Sequence, residues 1–187
     1  MMKIGYSIYI LFIFSLFTRQ IDYFLIFFGS IICHELGHAF FIKIFNQKFI
    51  SLELNFFGGR IDCVLSSSKF KTFIIYSGGI IVNIIICLLS NNFGKYSKFI
   101  YDYNMLMVIF NLLPIYPLDG FRMFSLFFES KTKLIISIFF SIGLFIVGIY
   151  IKSLLIIIID AYLIILNYRY FKNYDLNYMM KLINAMS

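Results

Sequence analysis

The sequence predicts an all-α polytopic membrane protein with about six transmembrane helices and a small β-hairpin or membrane-dipping β-loop between the second and third. Three observations predict it. Of 187 residues, 61% are hydrophobic and 13% charged, whereas a soluble domain is nearer half apolar and a quarter charged. The apolar residues fall in long runs, at about 4–17, 21–45, 70–90, 99–117, 134–151 and 153–168. The basic residues lie singly between those runs, where juxtamembrane residues fall.

The elements follow in order. "MMKIGYSIYILFIFSLF" begins like a signal peptide, with one lysine and then an apolar stretch. It lacks a small-residue cleavage site and leads through "TRQIDYF" into another span, so it reads as a short, uncleaved first helix. Runs 21–45, 70–90 and 99–117 form the core helices. Between the first two of these, Ile50, Leu52, Leu54 and Phe56 alternate with Ser51, Glu53 and Asn55. A period of two is a strand with one apolar face. Gly58 and Gly59 follow, and "RIDCV" alternates again, which completes a hairpin or β-loop. The last two runs are separated by little more than Lys152, as a tight hairpin or a single broken span. Residues 1–170 read as one membrane domain and 171–187 as a short cytoplasmic tail.

With six spans, only Arg19, Lys95, Lys98 and Lys152 of the 16 basic residues fall on one side, which places both termini in the cytoplasm. The net charge of +7 is therefore a membrane signature, and nucleic-acid binding is not expected. Cys33, Cys63 and Cys87 have no metal-ligand spacing and read as small hydrophobes.

One apolar run carries chemistry. "SIICHELGHAFF" holds His34 and His38, the only two histidines, with Glu35 between them. Four residues apart on a helix, the imidazoles stack on one face about 6 Å apart and can hold one tetrahedral ion. Glu35, turned about 100° from His34, can reach a water on that ion without being a ligand. This is the H-E-x-x-H arrangement of zinc hydrolases. The bland reading, two core histidines beside a structural carboxylate, must find partners for three polar groups in lipid, where ionisable residues are costly.

A catalytic zinc takes a third protein ligand and keeps an open position. No histidine remains and Cys33 points off the histidine face, so a carboxylate must supply it. The best candidate is Asp119 in "NLLPIYPLDG", just beyond Pro114 and Pro117, the only prolines. These break the fourth helix, and irregular backbone at membrane depth belongs beside a cavity. The second and fourth helices run in the same direction, so His38 and Asp119 reach similar depths. A solvated loop aspartate is the alternative. Asp160, in "IIIIDAYLIIL", is a further intramembrane carboxylate with no assigned role.

"HELGH", "FFGG" and "NLLPIYPLDG", in that order on successive membrane segments, resemble the site-2 protease family of intramembrane zinc metalloproteases, and most of all its bacterial stage IV sporulation branch. The resemblance spans about residues 20 to 170. It implies a metalloprotease domain over 1–170, with one zinc ion per chain on His34, His38 and Asp119 and with Glu35 as the catalytic glutamate. Gly58–Gly59 resembles the membrane-dipping loop proposed to present substrate. Asn83 and Asn111 are candidate oxyanion donors. The implied partners are a membrane protein substrate and a membrane regulatory or inhibitory protein, in a bacterial cell membrane.

The sequence departs from the family pattern in two places. Gly79, in "SGGIIVN", stands where proline is expected, and Phe121 follows "LDG" where glycine is frequent; neither is expected to touch a ligand. The cytoplasmic nucleotide-sensing CBS domain common in the sporulation branch is not expected after "RYFKNYDLNYMMKLINAMS". The rival readings are a non-catalytic relative acting as a binding protein, a metal transporter, and a membrane zincin with a glutamate third ligand. Only Glu53 and Glu129 follow the motif, and neither sits in an apolar helical run.

Overall fold

Each of the six apolar runs forms a helix. In the computed structural model, which describes residues 2–4, 6–55, 58–64 and 68–186, these are α1 (Tyr6–Phe17), α2 (Ile21–Ile44), α3 (Lys69–Leu89), α4 (Ser97–Leu112), α6 (Ser130–Tyr150) and α7 (Leu154–Met186). A short helix absent from the expectations, α5 (Asp119–Ser125), stands between α4 and α6. Four segments are long and apolar enough to cross a membrane: Ile21–Ile44, Lys69–Leu112, Lys131–Tyr150 and Leu154–Asn173. The second of these holds both α3 and α4, joined by a 3₁₀ turn in which Gly94 takes a φ of +57°. The Cys87 thiol points to the Tyr101 carbonyl, which only a reversal of the chain allows at that separation.

The helix ends follow local rules. Arg19, Asn46 and Lys152 take positive φ two residues beyond the ends of α1, α2 and α6. In each case the next N–H reaches back five residues, as Gln20 to Ser15, Gln47 to Ile42 and Ser153 to Gly148. These bonds satisfy carbonyls that a helix end leaves open, so α6 and α7 are two helices and not one broken span. Helix α4 stops at Leu112, five residues earlier than the apolar run. Pro114 has no N–H to give and its ring would strike the carbonyl four residues back. Helix α7 continues to Met186, so the segment read as a tail extends this helix.

Strands β2 (Lys48–Asn55) and β3 (Gly58–Val64) pair antiparallel, with Asn55 opposite Gly58, Leu54 opposite Gly59 and Glu53 opposite Arg60. The expected hairpin is present; Phe56, at the end of the expected strand, lies outside the described residues. An unexpected strand, β1 (Met2–Ile4), pairs parallel with β2, which makes β2 central and β3 an edge.

The chain divides into two compact units, Met1–Phe110 and Asn111–Ser187. The second shows the polarity of a membrane protein. On α6 the buried positions are Ser137, Ser141 and Gly148, while Ile135, Phe139, Ile142, Ile146 and Ile149 are exposed. Apolar side chains turned outward and hydroxyls turned inward suit lipid, where polar groups must find partners within the protein.

Candidate metal centre

The histidine pair is built by two helices in backbone contact. Gly37, between the two histidines on α2, faces Gly78 on α3; a Cβ added to either would overlap the other's carbonyl. That approach lets the Ile75 carbonyl, on α3, lie 2.7 Å from Nδ1 of His38. A carbonyl only accepts, so Nδ1 carries the proton and donates it, and Nε2 is the nitrogen that faces His34. This is the tautomer a metal ligand needs, fixed by the bond its other nitrogen makes. Nε2 of His38 lies 3.2 Å from Nε2 of His34. Two nitrogens bound to one tetrahedral zinc are about 3.3–3.4 Å apart, so the spacing suits the ion.

Gly79 completes the fit. A Cβ there would lie 2.5 Å from Cε1 and Nε2 of His34 and 2.6 Å from Nε2 of His38. The expectation that position 79 touches no ligand is therefore corrected. In this chain the two rings occupy the space a side chain would fill, and only glycine leaves it open.

The buried carboxylate is Asp119, at the first position of α5 and 6% exposed. His34 and His38 lie in the first compact unit and Asp119 in the second, and all three are buried. Two imidazoles and a carboxylate are residue types that suit zinc. Glu129 is exposed at the start of α6, and Cys33 on α2 is half-buried. Glu35, beside His34 on α2, is 4% exposed.

Asn83 follows Gly79 by one turn of α3 and so shares its face. It is fully buried, and among the described residues neither of its amide atoms has a hydrogen-bond partner. Burying an amide without partners in lipid is costly. Asn111 is half-buried in the last turn of α4. Gly58 and Gly59 begin the edge strand β3.

Sequence reasoning missed the Ile75 carbonyl, the ring contact of Gly79 and a buried Asn167 on α7. The first two are contacts between helices with no side-chain signature. An asparagine within the run 153–168 and its continuation was a readable signal for the third.

The Peptidase family M50 model matches residues 88–155, a stretch that contains "NLLPIYPLDG" but not "HELGH". No protein with a curated description matches the chain. Among solved structures, the Site-2 Protease from Methanocaldococcus jannaschii is similar in fold, with a TM-score of 0.65 and 19% identity over 87% of this chain and 86% of that one. The resemblance to the site-2 protease family thus holds at two levels, a family-model match over residues 88–155 and a shared fold over most of the chain.

Proposed function

We propose that the protein is an intramembrane zinc metalloprotease that hydrolyses a peptide bond of a membrane-embedded or membrane-associated protein near the cytoplasmic face. The observation that carries this reading is the pair of buried imidazoles, His34 and His38, whose Nε2 atoms face one another on α2 with Glu35 beside them. The Ile75 carbonyl accepts from Nδ1 of His38, and Nε2 of His38 lies 3.2 Å from Nε2 of His34, with both rings buried.

His34, His38 and Asp119 would hold the ion, leaving one position open. A zinc there would lower the pKa of a bound water to about 7 and polarise the scissile carbonyl. Glu35 takes the proton of the attacking water on a carboxylate oxygen and delivers it to the leaving amine. The Asn83 amide N–H donates to the oxygen of the carbonyl under attack, with Asn111 the second candidate. A helical substrate hides its peptide bonds in its own ladder and must be extended first. Among the described residues β3 is an edge strand, and an extended segment adding to that edge would lie beside Gly58 and Gly59. Release of membrane-tethered regulators by such cuts, and control by a membrane inhibitory partner, belong to the same reading.

The test uses purified protein in detergent with a solubilised membrane-protein fraction, and new N-termini are identified by chemical labelling and mass spectrometry. Wild type with zinc is expected to generate new N-termini within apolar segments. Glu35→Gln is expected to generate none while keeping its metal. Equal cleavage by both would sink the scheme.

A further inference from the structure

We infer that Asn167, on α7, is a positioning residue for Asp119, holding the irregular backbone from which this carboxylate is presented. The inference rests on the reading of Asp119 as third metal ligand and adds what keeps it in place.

Between the end of α4 at Leu112 and the start of α5 at Asp119, the backbone is neither helix nor strand. Pro114 and Pro117 supply no N–H, and the final carbonyls of α4 have lost their helical donors. Two local devices fold the segment. The Leu118 N–H bonds to the Ile115 carbonyl at 2.9 Å, and Gly120 lies so close to the Leu112 carbonyl that a Cβ there would overlap it. The third device comes from 51 residues away. Nδ2 of Asn167 donates to the Tyr116 carbonyl at 3.1 Å and to the Leu163 carbonyl of its own helix at 3.0 Å. Its Oδ1 accepts from the Ser137 hydroxyl on α6 at 2.6 Å. Both donors and the acceptor of this buried amide are therefore used, which fixes which way it faces.

The surrounding face of α7 continues the same grip. Leu163, Asn167, Tyr170 and Phe171 recur at the spacing of one helical face. Tyr170 stacks on Tyr116 with ring centroids 4.3 Å apart, and Phe121, two residues beyond Asp119, packs edge-on against Tyr170 and Phe171. Tyr116 and Phe121 thus bracket Asp119 in sequence, and both are seated on α7. The aromatic contacts supply bulk and tolerate sliding. The amide bond supplies direction, because it names one carbonyl.

The experiment measures zinc affinity of the full chain in detergent by competition with a chelator, and the visible spectrum of the cobalt-loaded protein. Wild type is compared with Asn167→Leu, similar in shape but without the amide, and with Ser137→Ala, which removes only the bond to Oδ1. Asn167→Leu is expected to bind zinc about tenfold more weakly and to shift the cobalt bands, as loss of an outer partner does. Ser137→Ala is expected to move both in the same direction by less. A purely structural role for Asn167 would lower the melting temperature and leave affinity and spectrum unchanged in the folded protein. If Asn167→Leu does not fold, Ser137→Ala decides alone. Wild-type affinity and spectrum in the folded variants would overturn the inference and leave the proposed function standing. Absence of zinc from wild type would overturn both.

Discussion

His34 and His38 stand on an unbroken helix, whereas Asp119 follows six residues, 113–118, that are neither helix nor strand. In the first region the proposed ligands are held by regular backbone against regular backbone, with Gly37 and Gly78 letting α2 and α3 approach and Gly79 leaving room for the two rings. The hydrogen bond that sets the His38 tautomer also comes from a helical carbonyl. In the second region the segment that carries the proposed ligand is held by side chains, the Asn167 amide and the rings of Tyr170 and Phe171. The difference teaches where each region is vulnerable. The first should fail by steric overlap, abruptly and together with the fold. The second should fail by loss of hydrogen bonds, in graded steps and with the fold intact.

The largest effect is expected at Gly37. In Gly37→Val the new side chain meets α3 backbone, which has nowhere flexible to yield. Overpacking costs about 1–3 kcal/mol where side chains can adjust, and more is expected against backbone. Thermal unfolding in detergent should show a large loss of stability together with loss of zinc, and a stable, zinc-loaded Gly37→Val would break the steric half of the comparison.

Gly79→Ala comes next. Here the overlap is with imidazole rings, which can swing aside, so the fold should survive. The rings then leave their ligand positions, and zinc affinity is expected to fall about tenfold to a hundredfold, the equivalent of an overpacking cost of this size. Chelator competition reads it directly. Unchanged affinity would mean that the ring positions are not those of ligands.

A smaller effect sharpens the graded half. Ser141 donates to Oδ1 of the fully buried Asp160 at 2.6 Å, and among the described residues Oδ2 has no hydrogen-bond partner. Ser141→Ala strips the carboxyl of its donor, which costs about 1–3 kcal/mol of stability. Zinc affinity should not move, because this bond ties α6 to α7 without touching the loop before Asp119. A fall in zinc affinity as large as that of Asn167→Leu would erase the distinction between the two hydroxyl bonds.

The smallest effect is expected at Gly59→Val. A β-branched residue suits a strand, so the edge of β3 should persist while its side chain alters how an extended substrate lies beside it. Cleavage should change a fewfold on some substrates and not on others, with zinc unaffected. Uniform behaviour across all substrates would remove β3 from substrate binding.

How far these regions were legible in the sequence follows the same division. His34 and His38 were readable because a helix turns spacing into geometry, and four residues along the chain is one face of α2. Asp119 was readable because two prolines in a greasy run demand an explanation. The end of α4 was placed five residues too late, since apolar character runs on through Leu113 and Ile115 although Pro114 ends the helix. Helix α5 went unseen because seven residues hold too few turns to show a period. The contacts of Gly79 and the Ile75 carbonyl left no trace, since a missing side chain and a backbone oxygen look the same at any position. Asn167 stood out as an amide in an apolar span, yet its partner, a carbonyl 51 residues away, is a property of the fold.

The central claim, that both regions serve one metal ion, is tested most directly by zinc content per chain of detergent-purified wild type and Asp119→Ala, measured by elemental analysis with parallel chelator competition. The account predicts one zinc per wild-type chain and a sharply weakened site in the variant, with the fold retained. Zinc bound equally well by both would contradict it.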